Sequence, residues 1–206
     1  MQKRHTDRES YFGEQSQTSK NYYIPYIKEV IGHIPDKVLE VGCGEGGNLL
    51  PFAEAGCRVM GVDIDATRIE QARTFFAQRH QQGQFIATDI FQLKDKATNF
   101  PLILLHDVIE HIRDKERFLS GLQKHLSADG AIFVGFPAWQ MPFGGHQQIA
   151  HSHIVSHFPF LHLLPRTLYR WILRLCGEQE RVITELLDIK LSLIHISEPT
   201  RHSLIS

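Results

Sequence analysis

Residues 38–47 read VLEVGCGEGG, an apolar run that ends in a cluster of glycines. This is the pattern of a buried β-strand followed by a tight turn. The glycines at positions 42, 44 and 46 have no Cβ, so the backbone can turn sharply and a ligand can lie against the main chain. A helix predicted to begin near Asn48 would direct its N–H groups at that turn, which suits a carboxylate or a phosphate. The stretch therefore predicts a ligand site at the end of the first strand.

The glycine spacing alone does not identify the ligand. Gly42, Gly44 and Gly47 also satisfy the dinucleotide pattern G-x-G-x-x-G, and a tight turn without any ligand is a further interpretation. Asp63 follows 21 residues after Gly42, at the end of the second predicted strand, where a carboxylate can accept both hydroxyls of a ribose. Asp65 is better placed than Asp63 to cap the next helix. These residues indicate an adenosine-type ligand and leave the reaction open.

Strand and helix patterns alternate along most of the chain. Strands are predicted at Lys37–Val41, Arg58–Val62, Gln84–Ala87, Leu102–Leu105 and Ala131–Phe136, the last after a turn at Asp129–Gly130. Helices are predicted at Tyr22–Ile34, Asn48–Ala55 and Leu164–Leu175, and two more are predicted to follow N-caps at Asp65 and Asp114. The helix after Asp114 has an apolar face made of Phe118, Leu119, Leu122 and Leu126. This rhythm specifies an α/β fold with a doubly wound, mainly parallel sheet and right-handed crossovers. Ligands on such sheets bind at the carboxyl ends of the strands.

A third acid closes the third predicted strand. Asp89 follows Ala87-Thr88, where a carboxylate can accept a hydrogen bond from an adenine amino group, with Ile64 and Ile90 packing on the ring faces. An ordinary loop aspartate that stabilises a turn is the alternative interpretation.

The motifs together resemble a known superfamily. The order E-x-G-C-G-x-G, G-V-D-I, T-D-I and D-V-I-E-H-I, from Val38 to about Pro137, is similar to that of class I S-adenosylmethionine-dependent methyltransferases, most closely the ubiquinone- and menaquinone-pathway type. An acid at Glu40, directly before the turn, is typical of methyltransferases and not of dehydrogenases. Two alternatives stay beside this resemblance: a nicotinamide-dependent oxidoreductase and a non-catalytic nucleoside-binding module.

The resemblance implies S-adenosylmethionine as cofactor, a small-molecule methyl acceptor and a set of contacts. The methionine part of the cofactor would face Glu40 and the backbone of the turn, and the adenosine part would face the acids of the next two strands. The end of the fourth strand would lie beside the methionine amino group and the transferable methyl. The implied cofactor-binding residues are Glu40, Gly42, Cys43, Gly44, Gly46, Asp63, Ile64, Asp89, Ile90, His106 and Asp107. By the same fold analogy, Tyr11, Phe12, Tyr22 and Tyr23 are expected to close over the cofactor.

Methyl transfer from a sulfonium is an in-line displacement, so the protein must align the acceptor and exclude water. A general base is needed only where the acceptor must lose a proton. His106 and His111 are the candidates, because an imidazole titrates near neutrality. For His111 a structural hydrogen bond or helix cap is an equal alternative, and for Glu110 it is the favoured one. Cys43 is interpreted as a small packing residue in the turn rather than a nucleophile.

Composition narrows the partners and the compartment. A formal net charge of −1 leaves no overall electrostatic footprint for nucleic acid. The three cysteines predict a protein without disulfides, in a reducing compartment. The N-terminus is polar and lacks an apolar h-region, so no signal peptide is expected, and the late apolar stretch is broken by proline and arginines, so no transmembrane segment is expected. Together these features predict a cytoplasmic protein. Five histidines crowd residues 146–162 without a cysteine or acid among them, so a hydrogen-bonding acceptor pocket is expected there in preference to a metal site on His153 and His157. The oligomeric state stays open.

Four regions are predicted. Residues 1–36 form an N-terminal helical cap, 37–137 the S-adenosylmethionine-binding core, 138–190 a lid and acceptor-binding region with a Gly144–Gly145 hinge, and 191–206 a non-native tail. Residues 191–201, LSLIHISEPTR, resemble a translated sequencing adapter, although a natural strand with a polar tail is the alternative. If the tail is foreign, the last strands of the sheet are expected to be missing. Arg166, Arg170 and Arg174 share a helix face that is expected to be solvated, with an anionic acceptor or a membrane surface as the alternative.

Overall fold

Five parallel strands form one sheet in the order β3-β2-β1-β4-β5. In this computed structural model, residues 7–93, 98–137, 141–143 and 147–197 are described, the side chains of residue 148 and residues 193–197 excepted. The strands are β1 Lys37–Val41, β2 Arg58–Asp63, β3 Gln84–Ala87, β4 Phe100–His106 and β5 Leu126–Gly135. The helices are α1 Arg8–Thr18, α2 Ile24–Ile31, α3 Leu50–Glu54, α4 Ala66–Gln78, α5 Lys115–Leu122, α6 His153–His157, α7 Arg166–Leu175 and α8 Glu180–Ser197.

The described residues fall into two units. The sheet unit comprises residues 7–108 and 114–135, and the helical unit comprises residues 109–113 and 136–197. The predicted α/β fold with a parallel sheet is confirmed by the sheet unit. Its strand order reverses between β1 and β4, which are paired from Val38↔Leu102 to Val41↔Leu105. A ligand crevice is expected at this switch point, beyond the carboxyl ends of these two strands.

The helix caps of the sheet unit agree with the sequence. The Asp65 carboxylate accepts from the backbone N–H groups of Thr67 and Arg68 at 2.9 and 3.3 Å, and Asp114 accepts from Arg117 N at 3.0 Å. Each cap satisfies N–H groups that the first turn of a helix leaves unpaired. The apolar side chains at helical spacing in α4, Ile69, Ala72 and Phe76, are buried.

The N-terminal helical segment is longer than predicted. Instead of a helix at Tyr22–Ile34, α1 begins at Arg8 and leads through a π-helical turn, Ser19–Tyr23, into α2, which ends at Ile31 and is capped by Gly32. The earlier start was not predicted because α1 is mainly polar and buries only Phe12, which packs against Phe75 and Phe76.

Other boundaries also differ from the sequence prediction, most of all at the second predicted helix and in β5. The predicted helix at Asn48–Ala55 is a 3₁₀ turn, Gly47–Leu49, followed by the short α3. Strand β5 begins at Leu126, which was assigned to the face of α5, and contains the predicted Asp129–Gly130 turn. That turn coincides with a register irregularity, since Phe100 pairs with Leu126 but Leu102 pairs with Ala131.

The helical unit has its own apolar core. Helices α6, α7 and α8 contribute Val155, Tyr169, Leu173, Ile183, Leu186 and Leu187 to it. Helix α8 continues to Ser197, so the strand considered as an alternative beyond residue 190 is wrong for residues 191–197, and residues 198–206 lie outside the described chain. The four predicted regions stay predictions, and the expected hinge at Gly144–Gly145 also lies outside the described residues. None of the helices in the described ranges combines the length and apolar composition that crossing a membrane requires.

Candidate functional site

The glycine-rich turn after β1 depends on left-handed backbone conformations. Gly42, Gly44 and Gly46 have φ values of +73°, +51° and +81°, which side chains other than glycine rarely adopt. At Gly42 space is also restricted, since an added Cβ would collide with Val108 Cγ2. The turn is closed by Gly46 N donating to Cys43 O at 2.8 Å. The main chain is therefore bare and tightly curved where the ligand was predicted.

Gly47, which made the dinucleotide pattern possible, has a separate structural reason. An added Cβ there would lie 2.7 Å from Phe12 O and 2.8 Å from Gln15 Cβ. Helix α1 packs on the turn at this point, so only a glycine fits. The G-x-G-x-x-G spacing is thus explained without a dinucleotide.

Asp63 fixes the turn to the end of β2. Its Oδ2 accepts from Gly44 N at 2.8 Å, and its Oδ1 accepts from Asp65 N at 2.9 Å. An ionised carboxylate has about four acceptor positions, so two backbone donors leave capacity for hydroxyl donors of a ligand. Asp63 is partly buried at the switch-point edge, which is the position that ribose recognition requires.

Glu40 is a buried acid held by a residue that the sequence did not suggest. Asn48 Nδ2 donates to Glu40 Oε1 at 2.8 Å, while Asn48 O accepts from Ser19 Oγ at 2.8 Å. Burial raises the pKa of Glu40 to about 8, with a contribution from the charge of Asp63, although the Asn48 hydrogen bond opposes the rise. The available signal for Asn48 was a polar side chain beginning an otherwise apolar helix just after the glycines.

Cys43 behaves as a packing residue within the turn. Burial, reinforced by the charges of Glu40 and Asp63, raises the pKa of its thiol well above its usual range. An added Cβ on Gly61 of β2 would lie 2.6 Å from Cys43 Sγ, so the thiol fills the space between β1 and β2. A neutral, buried thiol is a poor nucleophile.

The end of β4 brings His106 and Asp107 to the same edge of the sheet. Asp107 adopts φ +53°, its N–H donates to Gly135 O at 3.0 Å, and its Oδ2 lies 3.9 Å from His106 Nδ1. Left-handed backbone at a residue other than glycine is uncommon, although aspartate tolerates it better than most. Tyr23 covers this corner, with its ring centroid 5.6 Å from that of His106 and 4.9 Å from that of Phe133.

The predicted adenine-binding residues differ in exposure. Asp89 is exposed, and its Oδ1 accepts from Phe91 N at 2.9 Å, so the alternative role in stabilising a turn is present. Ile64 is 83% exposed and Ile90 is buried. A ligand ring could pack on the side chain of Ile64, whereas Ile90 already packs in the protein. The adenine contacts stay predictions.

The second base candidate lies in the other unit. His111 is exposed and Glu110 is buried within a 3₁₀ turn, Ile109–His111, of the helical unit. The catalytic role of His111, like that of His106, stays a prediction. Phe12, grouped by analogy with residues that cover the cofactor, instead lies in the core of the sheet unit.

The histidines of the predicted lid make hydrogen bonds and a ring stack. The rings of His153 and His157 stack with centroids 4.0 Å apart, and His162 Nδ1 lies 3.2 Å from Gln147 Oε1. His146 lies outside the described residues. Across the described ranges, no three histidine, cysteine or acidic residues are grouped to hold a metal ion.

A cavity of about 430 Å³ lies at the other end of the sheet. It is lined by residues at the amino ends of the strands, including Lys37, Arg58 and Gln84. The left-handed glycines lie at the carboxyl ends of the strands instead, together with Asp63, Asp89 and Asp107. The cavity is therefore separate from the candidate site.

Comparison with known proteins relates this geometry to a family. Residues 39–132 match a family model described as "Methyltransferase domain". Among curated relatives, the ubiquinone biosynthesis O-methyltransferase of Bartonella quintana (strain Toulouse) is 33% identical over 118 residues, which are 55% of this chain and 48% of that protein. The protein of the same name from Brucella ovis is 34% identical over 98 residues, 48% of this chain and 40% of that protein. The chain spans about half the length of the curated relatives it matches.

Solved structures give the same assignment of fold. PKMT2 from Rickettsia typhi, in complex with AdoHcy, superposes with a TM-score of 0.54 at 26% identity, covering 82% of this chain and 39% of that one. The plantazolicin methyltransferase BpumL, solved in complex with a triazolic desmethylPZN analog and SAH, gives a TM-score of 0.59 at 17% identity, covering 97% of this chain and 69% of that one. The second likeness concerns the fold alone.

Proposed function

We propose that the chain transfers a methyl group from S-adenosylmethionine to a small molecule. The premise is that residues 39–132 are a class I S-adenosylmethionine-dependent methyltransferase domain. The observation that carries the proposal is the junction of the glycine turn with β2. Gly44 N, in a left-handed turn, donates to the Asp63 carboxylate, with the buried Glu40 one strand away. A bare main chain between two acids suits a ligand with a ribose and an ammonium group.

S-adenosylmethionine, when bound, supplies an electrophilic methyl on a sulfonium. We assign the turn and Glu40 to its methionine part, Asp63 to its ribose, and Asp89 with Ile64 to its adenine. His106 and Asp107 would border the methyl, because β4 ends beside β1 at the switch point. The work of these residues is to bind, orient and exclude water, since an in-line displacement needs no covalent intermediate.

We infer a phenolic hydroxyl as the acceptor class, because the matched relatives from Bartonella and Brucella are named O-methyltransferases of ubiquinone biosynthesis. Held by the glycine turn, Glu40 and Asp63, the sulfonium would supply its methyl to the acceptor oxygen and would keep the electron pair of the broken carbon–sulfur bond. The hydroxyl proton passes to a base, for which His106 and His111 are the candidates. Residues 138–190 are proposed as the acceptor-binding region. A cytoplasmic location and the absence of nucleic-acid partners are proposed from the net charge of −1 and the sparse cysteines.

The proposal is tested by incubating the chain with methyl-labelled S-adenosylmethionine and a panel of catechols, phenols and amines. Label is expected in phenolic products, with an Asp63→Asn variant reducing transfer at least about tenfold through loss of a charge-assisted contact. Label only in amines would overturn the acceptor class. Tight cofactor binding without transfer to any acceptor would favour a binding module over an enzyme.

A further inference from the structure

The fold analogy groups Tyr23 with residues that close over the cofactor but gives it no chemical role. It ends the π-helical turn Ser19–Tyr23, and π-turns occur frequently at functional sites. The turn is anchored because Ser19 Oγ donates to Asn48 O at 2.8 Å, in a buried contact. Asn48 in turn holds Glu40, so the segment carrying Tyr23 is fixed to Glu40. Glu40, Asp63 and the glycine turn at residues 42–47 are together called the cradle.

The ring of Tyr23 lies beside the carboxyl ends of β4 and of the edge strand β5. Its neighbours are His106 at the end of β4 and Phe133 in β5, and a Cβ added to Gly135 would lie 3.8 Å from the Tyr23 hydroxyl. The ring is thus held by aromatic contacts next to the β4 end, where the proposed function puts the transferable methyl.

The surroundings of Tyr23 favour a cation. Burial raises the pKa of Tyr23 to about 12, and the negative charges of Asp107 and Glu40 contribute. The phenol therefore keeps its proton at neutral pH and the ring stays uncharged. A neutral aromatic ring has a negative face that attracts cations. The carboxylate of Asp107 beside the ring strengthens that preference.

We propose that Tyr23 is a specificity residue that favours the cationic sulfonium form of the cofactor over the neutral thioether left after methyl transfer. The inference rests on the proposed function, because it takes the ligand to be S-adenosylmethionine. The reactant carries a positive charge on sulfur and the product, S-adenosylhomocysteine, does not. A ring that attracts the charged reactant and not the neutral product aids both the binding of S-adenosylmethionine and the release of S-adenosylhomocysteine.

The experiment measures the dissociation constants of both ligands by calorimetry for the wild-type chain and for Tyr23→Phe and Tyr23→Leu. Tyr23→Phe keeps the ring and is expected to leave the ratio of the two constants within about twofold. Tyr23→Leu is expected to weaken S-adenosylmethionine about 3- to 30-fold more than S-adenosylhomocysteine. Tyr26→Leu is the matched control, because Tyr26 is more than half exposed and its ring also contacts Phe133.

Three outcomes separate this inference from the proposed function. Equal weakening of both ligands by Tyr23→Leu would mean that the ring only packs, and would overturn the inference. If Tyr23→Leu fails to fold, ring-fluorinated phenylalanines at position 23 keep the shape and weaken the negative face of the ring. The preference for the sulfonium should then fall with each added fluorine, and an unchanged preference would overturn the inference. Binding of neither ligand by the wild-type chain would instead overturn the proposed function.

Discussion

The buried acid Glu40 makes a specific prediction about stability and pH in the ligand-free protein. Its pKa rises from 4.5 to about 8, chiefly through burial. Between these values the folded protein keeps the proton that the unfolded chain releases. Stability must therefore fall as the pH rises through this interval, which is the reverse of the behaviour of a salt-bridged carboxylate.

The size of the effect follows from the interval. Each pH unit across it corresponds to about 1.4 kcal/mol, so the free energy of unfolding loses roughly 3 kcal/mol by pH 7 and roughly 5 kcal/mol above pH 8. A domain of ordinary stability has about 5–15 kcal/mol in total, so the loss is a large fraction of it. Glu40→Gln removes the ionisable group and keeps an oxygen that can accept from Asn48 Nδ2.

The assay is urea unfolding of the ligand-free chain at pH 5.5, 7 and 8.5. Glu40→Gln should gain stability relative to wild type as the pH rises, whereas Glu54→Gln, which changes an exposed carboxylate of α3, should run parallel to wild type. Comparing the variants removes the contributions of other titrating groups. A constant difference between Glu40→Gln and wild type at all three pH values would mean that Glu40 is already ionised in the folded state, and would refute the reasoning.

Three further changes test the cradle. In thermal unfolding, Gly42→Ala should lower the free energy of unfolding by about 1–2 kcal/mol for the left-handed backbone and by about 1–3 kcal/mol more for the contact with Val108. Gly56→Ala is the control, because φ is +88° there and the added Cβ meets open space, and it should lower the free energy of unfolding by only about 1–2 kcal/mol. In calorimetry, Asp63→Asn should weaken the binding of S-adenosylhomocysteine at least about tenfold. Asp36→Asn, which changes an exposed ion pair near the amino ends of the strands, should leave that affinity unchanged. Equal effects of the two variants would remove Asp63 from the site. Ser19→Ala should cost about 1–3 kcal/mol in urea unfolding because it leaves a buried carbonyl without its donor, and a cost under about 0.3 kcal/mol would argue against that anchor.

Much of the sheet unit could be predicted because its signals are local. The continuous apolar run of β4 and the mainly apolar run of β1 mark buried parallel strands, and Asp65 and Asp114 mark helix starts through their own side chains. The glycine turn could be placed for the same reason. At these positions a few consecutive residues determine the backbone without help from distant parts of the chain.

The unpredicted parts depend on tertiary contacts. Helix α1 buries only Phe12, so its hydrophobic pattern is weak, and the Gly47 position that accepts it is 35 residues further along the chain. Leu126 fits the four-residue spacing of α5 but begins β5, where it pairs with Phe100 of β4, since strand pairing outweighs helical periodicity there. The hydrogen bond between Asn48 and Glu40 also needs the folded turn, so composition could not reveal it.

The cofactor cradle itself is tested most directly by titrating the wild-type chain with S-adenosylhomocysteine in a calorimeter, with NADH titrated in parallel. The Gly44–Asp63 junction and the buried Glu40 predict saturable binding of S-adenosylhomocysteine at one site per chain, and no saturable binding of NADH. Absence of heat with S-adenosylhomocysteine, or saturable binding of NADH in its place, would contradict the assignment of this edge of the sheet to S-adenosylmethionine.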